Sequence, residues 1–447
     1  MKSDVVIIGG GIAGLATGAL LAKSGRKATV LEKGNQPGGR AYAYVDKGFT
    51  LNYGPHAMFR PHTGILSEIL TRLGRPSIAA PYPDPTRSYW KLGDRFAPIG
   101  SKPHQVLTTS LFSLSSKVAF GRVMLKVRSA NLDRLGDLTW GAWVDRETRD
   151  PSVRAFLGAL ATVNTYCRPS GELAATYVIG HVQRNAFAKD YVGYMSGGWK
   201  TMYDAFIDEL RAGGGDVVTG ARVERLEMEG DRVVAAIAGG VRHEASSFVC
   251  ALPPQDAPEI ATAGTPLASE LSRWSNMQDV RATCIDLGFS RRIRTDLTFV
   301  YEVERDLYYS LHSEVTPDLA PEGAQLLHAM AYLSAEESAD DRLAEARRQE
   351  LLGGLDRHFS GWRDAVAVER TLPNVRVASA RRTPDQFGAN AVPLRSSSAS
   401  NLYFAGDARD LPHAVGLGSL SSALEVADAI ASTHVTSATA KRERAVA

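Results

Sequence analysis

An α/β fold built on a buried parallel sheet is predicted by three features of this 447-residue sequence. The chain begins with a continuous apolar run, Val5-Val6-Ile7-Ile8, of the kind found in strands covered on both faces. A glycine-rich turn comes next, followed by an apolar segment from Ile12 to Ser24 that Gly25 ends, which reads as a helix. A second short strand, Ala28-Thr29-Val30-Leu31, then closes on the carboxylate of Glu32. Together these make a strand–turn–helix–strand unit at the start of a chain too long for one ordinary domain.

The later elements follow in order. From Thr63 to Gln183 the pattern is mostly helical, interrupted by prolines between Pro76 and Pro85. A helix from Thr201 to Leu210 leads through three glycines into a strand, Asp216-Val217-Val218. Ala221–Met228, Arg232–Ala238 and Ser247–Leu252 read as strands, with Gly239-Gly240 as a hairpin turn. Strand patterns at Ala282–Phe289, Leu297–Val303 and Leu326–Leu333 precede a charged helix from Asp341 to Phe359. Asn401–Ala405 is the last strand and Ser419–Ala431 the last helix. The order implies interleaving, with residues 1–62, 184–264 and 371–432 forming a nucleotide-binding domain. Residues 63–183 and 265–370 then form a second domain, and 433–447 a loose tail rich in small, polar and basic residues.

Composition excludes several classes. The net charge of +2 gives no reason to expect nucleic acid as a partner. Cys167, Cys250 and Cys284 lie far apart, which argues against a disulfide framework or a zinc site and fits a reducing cytoplasm. The opening Met1-Lys2-Ser3-Asp4 enters the strand pattern without a cleavage-site signature, and no apolar stretch is long enough to span a bilayer. A cytoplasmic protein is the expectation.

Chemistry concentrates at the two ends. Gly9, Gly11 and Gly14 form a Gly-x-Gly-x-x-Gly turn between strand and helix. Gly9 permits the tight turn, Gly11 admits a pyrophosphate close to the backbone, and Gly14 lets helix and strand pack closely. Glu32 stands where a carboxylate accepts hydrogen bonds from an adenosine ribose and would repel a 2′-phosphate. Gly38-Gly39-Arg40 and then Gly48-Phe49, Asn52, Gly54-Pro55-His56 follow. No second glycine fingerprint is found, since Gly213-Gly214-Gly215 precedes a strand instead of following one.

From Val5 to His56, and again from Asn401 to Ala431, the chain resembles the flavoprotein group that contains phytoene desaturases, protoporphyrinogen oxidase and flavin amine oxidases. The resemblance implies a FAD-binding Rossmann-like domain of the glutathione-reductase type with an inserted α+β substrate domain. It implies non-covalent FAD at Gly9, Gly11, Ala13, Gly14, Glu32, Lys33, Gly39, Arg40, Gly54 and Pro55, with Arg40 pairing with phosphate oxygens. It adds Val223 near the adenine, Gly406 and Asp407 at the ribityl or pyrophosphate region, and Gly418, Ser419 and Leu420 at a helix whose N-terminus faces the flavin. The resemblance is fair over Met195–Pro254 and weak over the two stretches between these segments.

The function so implied is FAD-dependent dehydrogenation or desaturation of a hydrophobic small molecule, with hydride passing to flavin N5 and then to oxygen, a quinone or a diffusing partner. A flavin amine oxidase releasing hydrogen peroxide is the alternative, although the loop Ala408–Val415 carries no aromatic residue besides His413. A non-redox isomerase and a binding protein like the Rab GDP-dissociation inhibitors are further alternatives. His56 and His413 are the candidate proton acceptors, and hydride removal requires neither. Trp199, Tyr203, Tyr308 and Tyr309 are candidate pocket aromatics. Phe120, Val123, Met124 and Val127 recur at helical spacing among Lys117, Arg122, Lys126 and Arg128. That stripe would either rest on anionic lipid as a peripheral membrane contact or pack against the substrate domain.

Overall fold

In the computed structural model, residues 2–98, 103–185, 188, 190–411, 413 and 415–446 are described, with backbone only at 103–104 and 434–446. The opening unit forms as its sequence predicts, with strands Val5–Ile8 and Ala28–Leu31 flanking helix Ile12–Lys23. They sit in a five-stranded parallel sheet in the order Leu402–Phe404, Ser247–Cys250, Val5–Ile8, Ala28–Leu31, Asp216–Val218. All four side chains of the first strand are buried, which is why it shows no polar alternation. Helices Ile12–Lys23, Lys200–Ala212 and the last helix cover one face. A three-stranded antiparallel sheet, Val223–Glu229, Arg232–Ala238 and Val241–Glu244, packs on the other. Gly239 and Gly240 make its hairpin with φ of +55° and +75°, values that suit glycine.

The second unit is a seven-stranded mixed sheet in the order Val366–Ala378, Val280–Phe289, Gln325–Leu333, Leu307–Ser310, Phe299–Glu302, Ser88–Leu92, Arg95–Pro98. Helices Leu114–Ser129, Trp140–Glu147, Pro151–Thr165 and Ala175–Asn185 cover one face, and Asp341–His358 covers the other. Four of these strands lie outside the expected ones. Ser88–Leu92 and Arg95–Pro98 fall in the stretch read as helical; strand propensity there is decided by pairing with Phe299–Glu302, a partner about two hundred residues away. The sheet also absorbs Leu307–Ser310 and the long strand Val366–Ala378.

Three boundaries move. The division expected between 370 and 371 falls inside Val366–Ala378, which is paired along its length with Val280–Phe289. Helix Ile65–Leu73, assigned to the second domain, buries Leu66, Ile69, Leu70 and Leu73 in the core of the parallel-sheet unit. The terminal helix runs Val415–Val446 instead of stopping at Ala431, because nothing between Ser419 and Val446 is a glycine or proline that would stop it.

Candidate functional site

A cavity of about 500 Å³ runs through the seam between the two units. Its walls include Gly9, Gly11, Ala13, Glu32, Lys33, Gly39, Arg40, Gly54, Pro55, His56, Val223, Gly406, Asp407 and Ser419. Gly14, Gly418 and Leu420 stand behind that wall. A Cβ at Gly14 would lie 2.1 Å from the Gly9 carbonyl oxygen, so it serves helix–strand contact, while Leu420 is fully buried in the core. Gly418 packs beneath the His413 carbonyl and Asp407.

The glycine turn is open where a pyrophosphate would lie. Gly11 caps the first helix with no side-chain hydrogen bond, the first turn holds no acid, and a Cβ at Gly11 would meet nothing within 4 Å. Free N–H groups and the positive end of the helix dipole therefore face the cavity. Glu32 is oriented by two backbone donors, Gly10 N at 2.7 Å to Oε2 and Gly34 N at 2.7 Å to Oε1. Carboxylate lone pairs remain for hydroxyl donors. These features fit the adenosine and pyrophosphate of FAD.

Arg40 and Asp407, 367 residues apart, meet as a two-pronged pair. The guanidinium donates to Asp407 Oδ1 at 2.7 Å and to Oδ2 at 2.9 Å, and further to the Val377 carbonyl and Ser379 Oγ. Ser379 N also donates to Asp407 Oδ2 at 3.0 Å. Burial works to raise the Asp407 pKa, but the charge and hydrogen bonds of Arg40, together with Ser379, outweigh it and hold it down at about 2. Two residues expected to contact the cofactor separately thus pair with each other within the parallel-sheet unit, and the Arg40 bond to the Val377 carbonyl ties the pair to the seven-stranded sheet. Ser379 is part of this network, and no local motif marks that residue.

The two histidines part company. His56 Nδ1 lies 2.8 Å from the Gly54 carbonyl and Nε2 lies 3.0 Å from the Arg40 carbonyl; the neutral ring has one N–H and donates to one of these two carbonyls of the loops that frame the cavity. Burial pushes its pKa down to about 4. Its ring lines the cavity and stands edge-on to Trp199 at 4.5 Å. His413 does not line this cavity. It faces a separate groove with Arg60, Arg184 and Leu417, and burial with those two arginines lowers it to about 4.

From the second unit the cavity receives Asn164, Tyr166, Cys284, Met330, Val375 and Val377. Every residue of Val280–Phe289 except Arg281 is buried, so no alternation in the sequence reveals which face Cys284 takes. Of the aromatic candidates, Trp199 lines the cavity. Tyr203 packs under Gly38, Tyr308 meets the Tyr194 hydroxyl, and Tyr309 bonds the Leu351 carbonyl on the far face of the sheet.

A polar row beneath the cavity was not legible at all. Across four adjacent strands, Arg370, Asp286, His328 and Ser310 stand in register. Arg370 Nε donates to Asp286 Oδ2 at 2.8 Å, and His328 Nδ1 lies against Asp286 Oδ1. Arg370 also donates to the Asn52 carbonyl, while Trp199 N donates to Asn52 Oδ1 at 2.9 Å. The row ties the second sheet to the loop that carries Gly54 and His56.

Fold and site define a flavoprotein, and comparison with known proteins agrees. The chain belongs to the flavin-containing amine oxidoreductase family, whose family model matches residues 12–431. It is 26% identical to (S)-6-hydroxynicotine oxidase of Paenarthrobacter nicotinovorans over 267 residues, which are 56% of this chain and 60% of that one. It is 38% identical to phytoene desaturase of Fusarium fujikuroi over 74 residues, 17% of this chain and 13% of that one. The matched segments therefore span less than two thirds of these curated relatives. A solved oxidoreductase from Methanosarcina mazei shares the fold with a TM-score of 0.80 at 20% identity, covering 96% of this chain and 100% of that one. The chain is an FAD-dependent oxidoreductase. Among the described residues, no helix is long and apolar enough to cross a membrane.

Proposed function

We propose that this chain dehydrogenates an apolar small molecule, taking a hydride from one of its carbons. The observation that carries this reading is the part of the cavity wall supplied by the second unit. Tyr166, Cys284 and Met330 offer an apolar surface there, extended by Phe59 from the parallel-sheet unit, with the Asn164 amide as a polar anchor. When bound, FAD supplies the two-electron acceptor. The chain's own residues do the rest. Phe59, Tyr166 and Met330 hold the substrate and keep water out, and Asn164 gives it one orientation. Gly416, Leu417 and Ser419, in the first turn of the last helix, bring the positive end of its dipole to the cavity, where negative charge develops on reduction. Arg40, Asp407 and His56 keep the loops around the reacting atoms fixed.

The test is the visible spectrum of the FAD-loaded protein, recorded anaerobically during titration with candidate substrates. Bleaching by a polyene or tetrapyrrole and not by amines is the expected result. Amine oxidation is the second reading, favoured by the length of the match to the hydroxynicotine oxidase. Bleaching by amines, with hydrogen peroxide formed on readmitting oxygen, would replace the first reading with the second.

A further inference from the structure

Helix Leu114–Ser129 packs one face inward and leaves an unusual face outward. Phe120, Val123 and Val127 are buried against Pro151–Thr165 and Ala175–Asn185. The opposite face exposes Leu114 at 79%, Val118 at 49% and Leu125 at 68%, with Leu107 beside it at 65%. At 3.6 residues per turn, Leu114, Val118 and Leu125 fall within an arc of about 40°, diametrically opposite the buried stripe. No other helix among the described residues exposes more than one large apolar side chain.

The charges are arranged around that arc. Lys117 and Arg128 border it on one side, Arg122 and Lys126 on the other. The chain has no Asp or Glu between Asp94 and Asp133. Among the described residues two carboxylates reach the helix from its surroundings: Glu147 pairs with Lys126, and Asp150 accepts a hydrogen bond from the buried Ser116 hydroxyl at 2.8 Å, away from the exposed arc. Lys117 Nζ donates to the Leu107 carbonyl at 2.8 Å and holds that leucine next to the helix.

We propose that the outward face of helix Leu114–Ser129, together with Leu107, docks on an anionic lipid surface, with the helix lying in the plane of the headgroups. An apolar centre bordered on both sides by cations matches a headgroup layer above acyl chains, where leucines enter and Lys and Arg meet phosphates. From the sequence, Phe120, Val123, Met124 and Val127 could either rest on lipid or pack against the substrate domain; they pack inward, and the face proposed for lipid is the other one. The helical layer beneath also supplies Asn164 and Tyr166 to the cavity, so docking brings the substrate-facing unit to the lipid. The inference is independent of which substrate is oxidised.

The experiment is co-sedimentation of the full FAD-loaded chain with vesicles of phosphatidylcholine alone and of phosphatidylcholine with phosphatidylglycerol. Binding to the anionic vesicles is expected to be roughly tenfold or more the stronger at low salt, and to be lost near about 1 M salt, where screening is nearly complete. The double variant Leu114→Ser/Leu125→Ser and the single variant Arg122→Glu should each lower binding about tenfold while leaving flavin content and melting temperature unchanged, since all three side chains point to solvent. Equal binding to both kinds of vesicle, or wild-type binding by both variants, would overturn the proposal. So would self-association in sedimentation velocity that the leucine variant abolishes while vesicles capture nothing, which would make the face a contact between two copies.

Discussion

The two walls of the cavity are built by different physics. The nucleotide wall is backbone chemistry: Gly9, Gly11, Gly39 and Gly406 clear space, helix ends supply N–H groups, and Glu32 is held by two amides. The opposite wall is side-chain chemistry. Its apolar lining adjoins a cross-strand polar row that runs inward from the edge strand of a seven-stranded sheet, the half-buried Arg370 followed by the fully buried Asp286, His328 and Ser310. A backbone site tolerates almost no added atoms yet works with any sequence that keeps its glycines. A side-chain site tolerates changes of shape and fails when a buried charge loses its partner.

That contrast predicts different kinds of damage. Gly14→Ala should have the largest effect on the cofactor, because its Cβ would stand 2.1 Å from the Gly9 carbonyl oxygen and would force helix and strand apart. Flavin content of the purified variant is expected to drop to background. Retention of bound FAD would show that the turn has slack the structure does not display.

Asp286→Asn should do the reverse. It leaves the buried Arg370 guanidinium short of its counter-charge, at a cost of about 3 kcal/mol in unfolding free energy. FAD affinity should stay within a few-fold of the wild type. Denaturant unfolding and flavin titration on the same variant separate the two effects. Loss of flavin with unchanged stability would reverse the roles assigned to the two walls.

Acid should strike in two stages. His56 is held neutral down to about pH 4 from an ordinary 6.5, so the folded protein loses stability as pH falls through that window, where only the unfolded chain takes up the proton. Asp407 is held down at about 2 from 3.8; its contribution, about 2 kcal/mol, is present above pH ~4 and disappears as pH falls toward 2. Melting temperature followed against pH should therefore decline from near 6.5, with a second decline below 4 that Asp407→Asn removes. A flat profile down to pH 4 would contradict the burial of His56.

The smallest effect should come from Glu32→Gln. The amide loses the charge and keeps one acceptor oxygen, so one of the Gly10 and Gly34 N–H groups is left without its acceptor; FAD affinity should fall about tenfold, on the order of 1.4 kcal/mol, and stability by about 1 kcal/mol. Fluorescence titration of the apoprotein with FAD measures it. No change would mean that Glu32 serves the turn alone through Gly10 and Gly34.

The nucleotide wall was legible in the sequence because each requirement is local. A glycine that must clear a phosphate, an acid at the end of the next strand and an arginine eight residues later are close in the chain, so their spacing carries the geometry. The brace between Arg40 and Asp407 was only half legible: each residue stood in a recognisable motif, and their contact across 367 residues did not. The opposite wall left no trace, since Cys284 and Met330 are ordinary buried residues until a sheet assembled from distant segments turns them to one side, and Tyr166 is the half-buried residue that ends a helix. In the helix at Leu114–Ser129 the sequence showed one apolar stripe, which packing turned inward, and only the structure revealed Leu114, Val118 and Leu125 on the outward face.

By itself, then, the sequence determined the dinucleotide turn, the cofactor class and the order of most elements, because hydrophobic period, glycine placement and caps act over a few residues. Tertiary structure alone decided the seven-stranded sheet, the polar row, the role of His56 and the outward face of the basic helix. Each of these depends on partners that tertiary packing brings together, from 16 residues apart for His56 and Arg40 to 84 for Asp286 and Arg370 and about two hundred for Ser88–Leu92 and Phe299–Glu302.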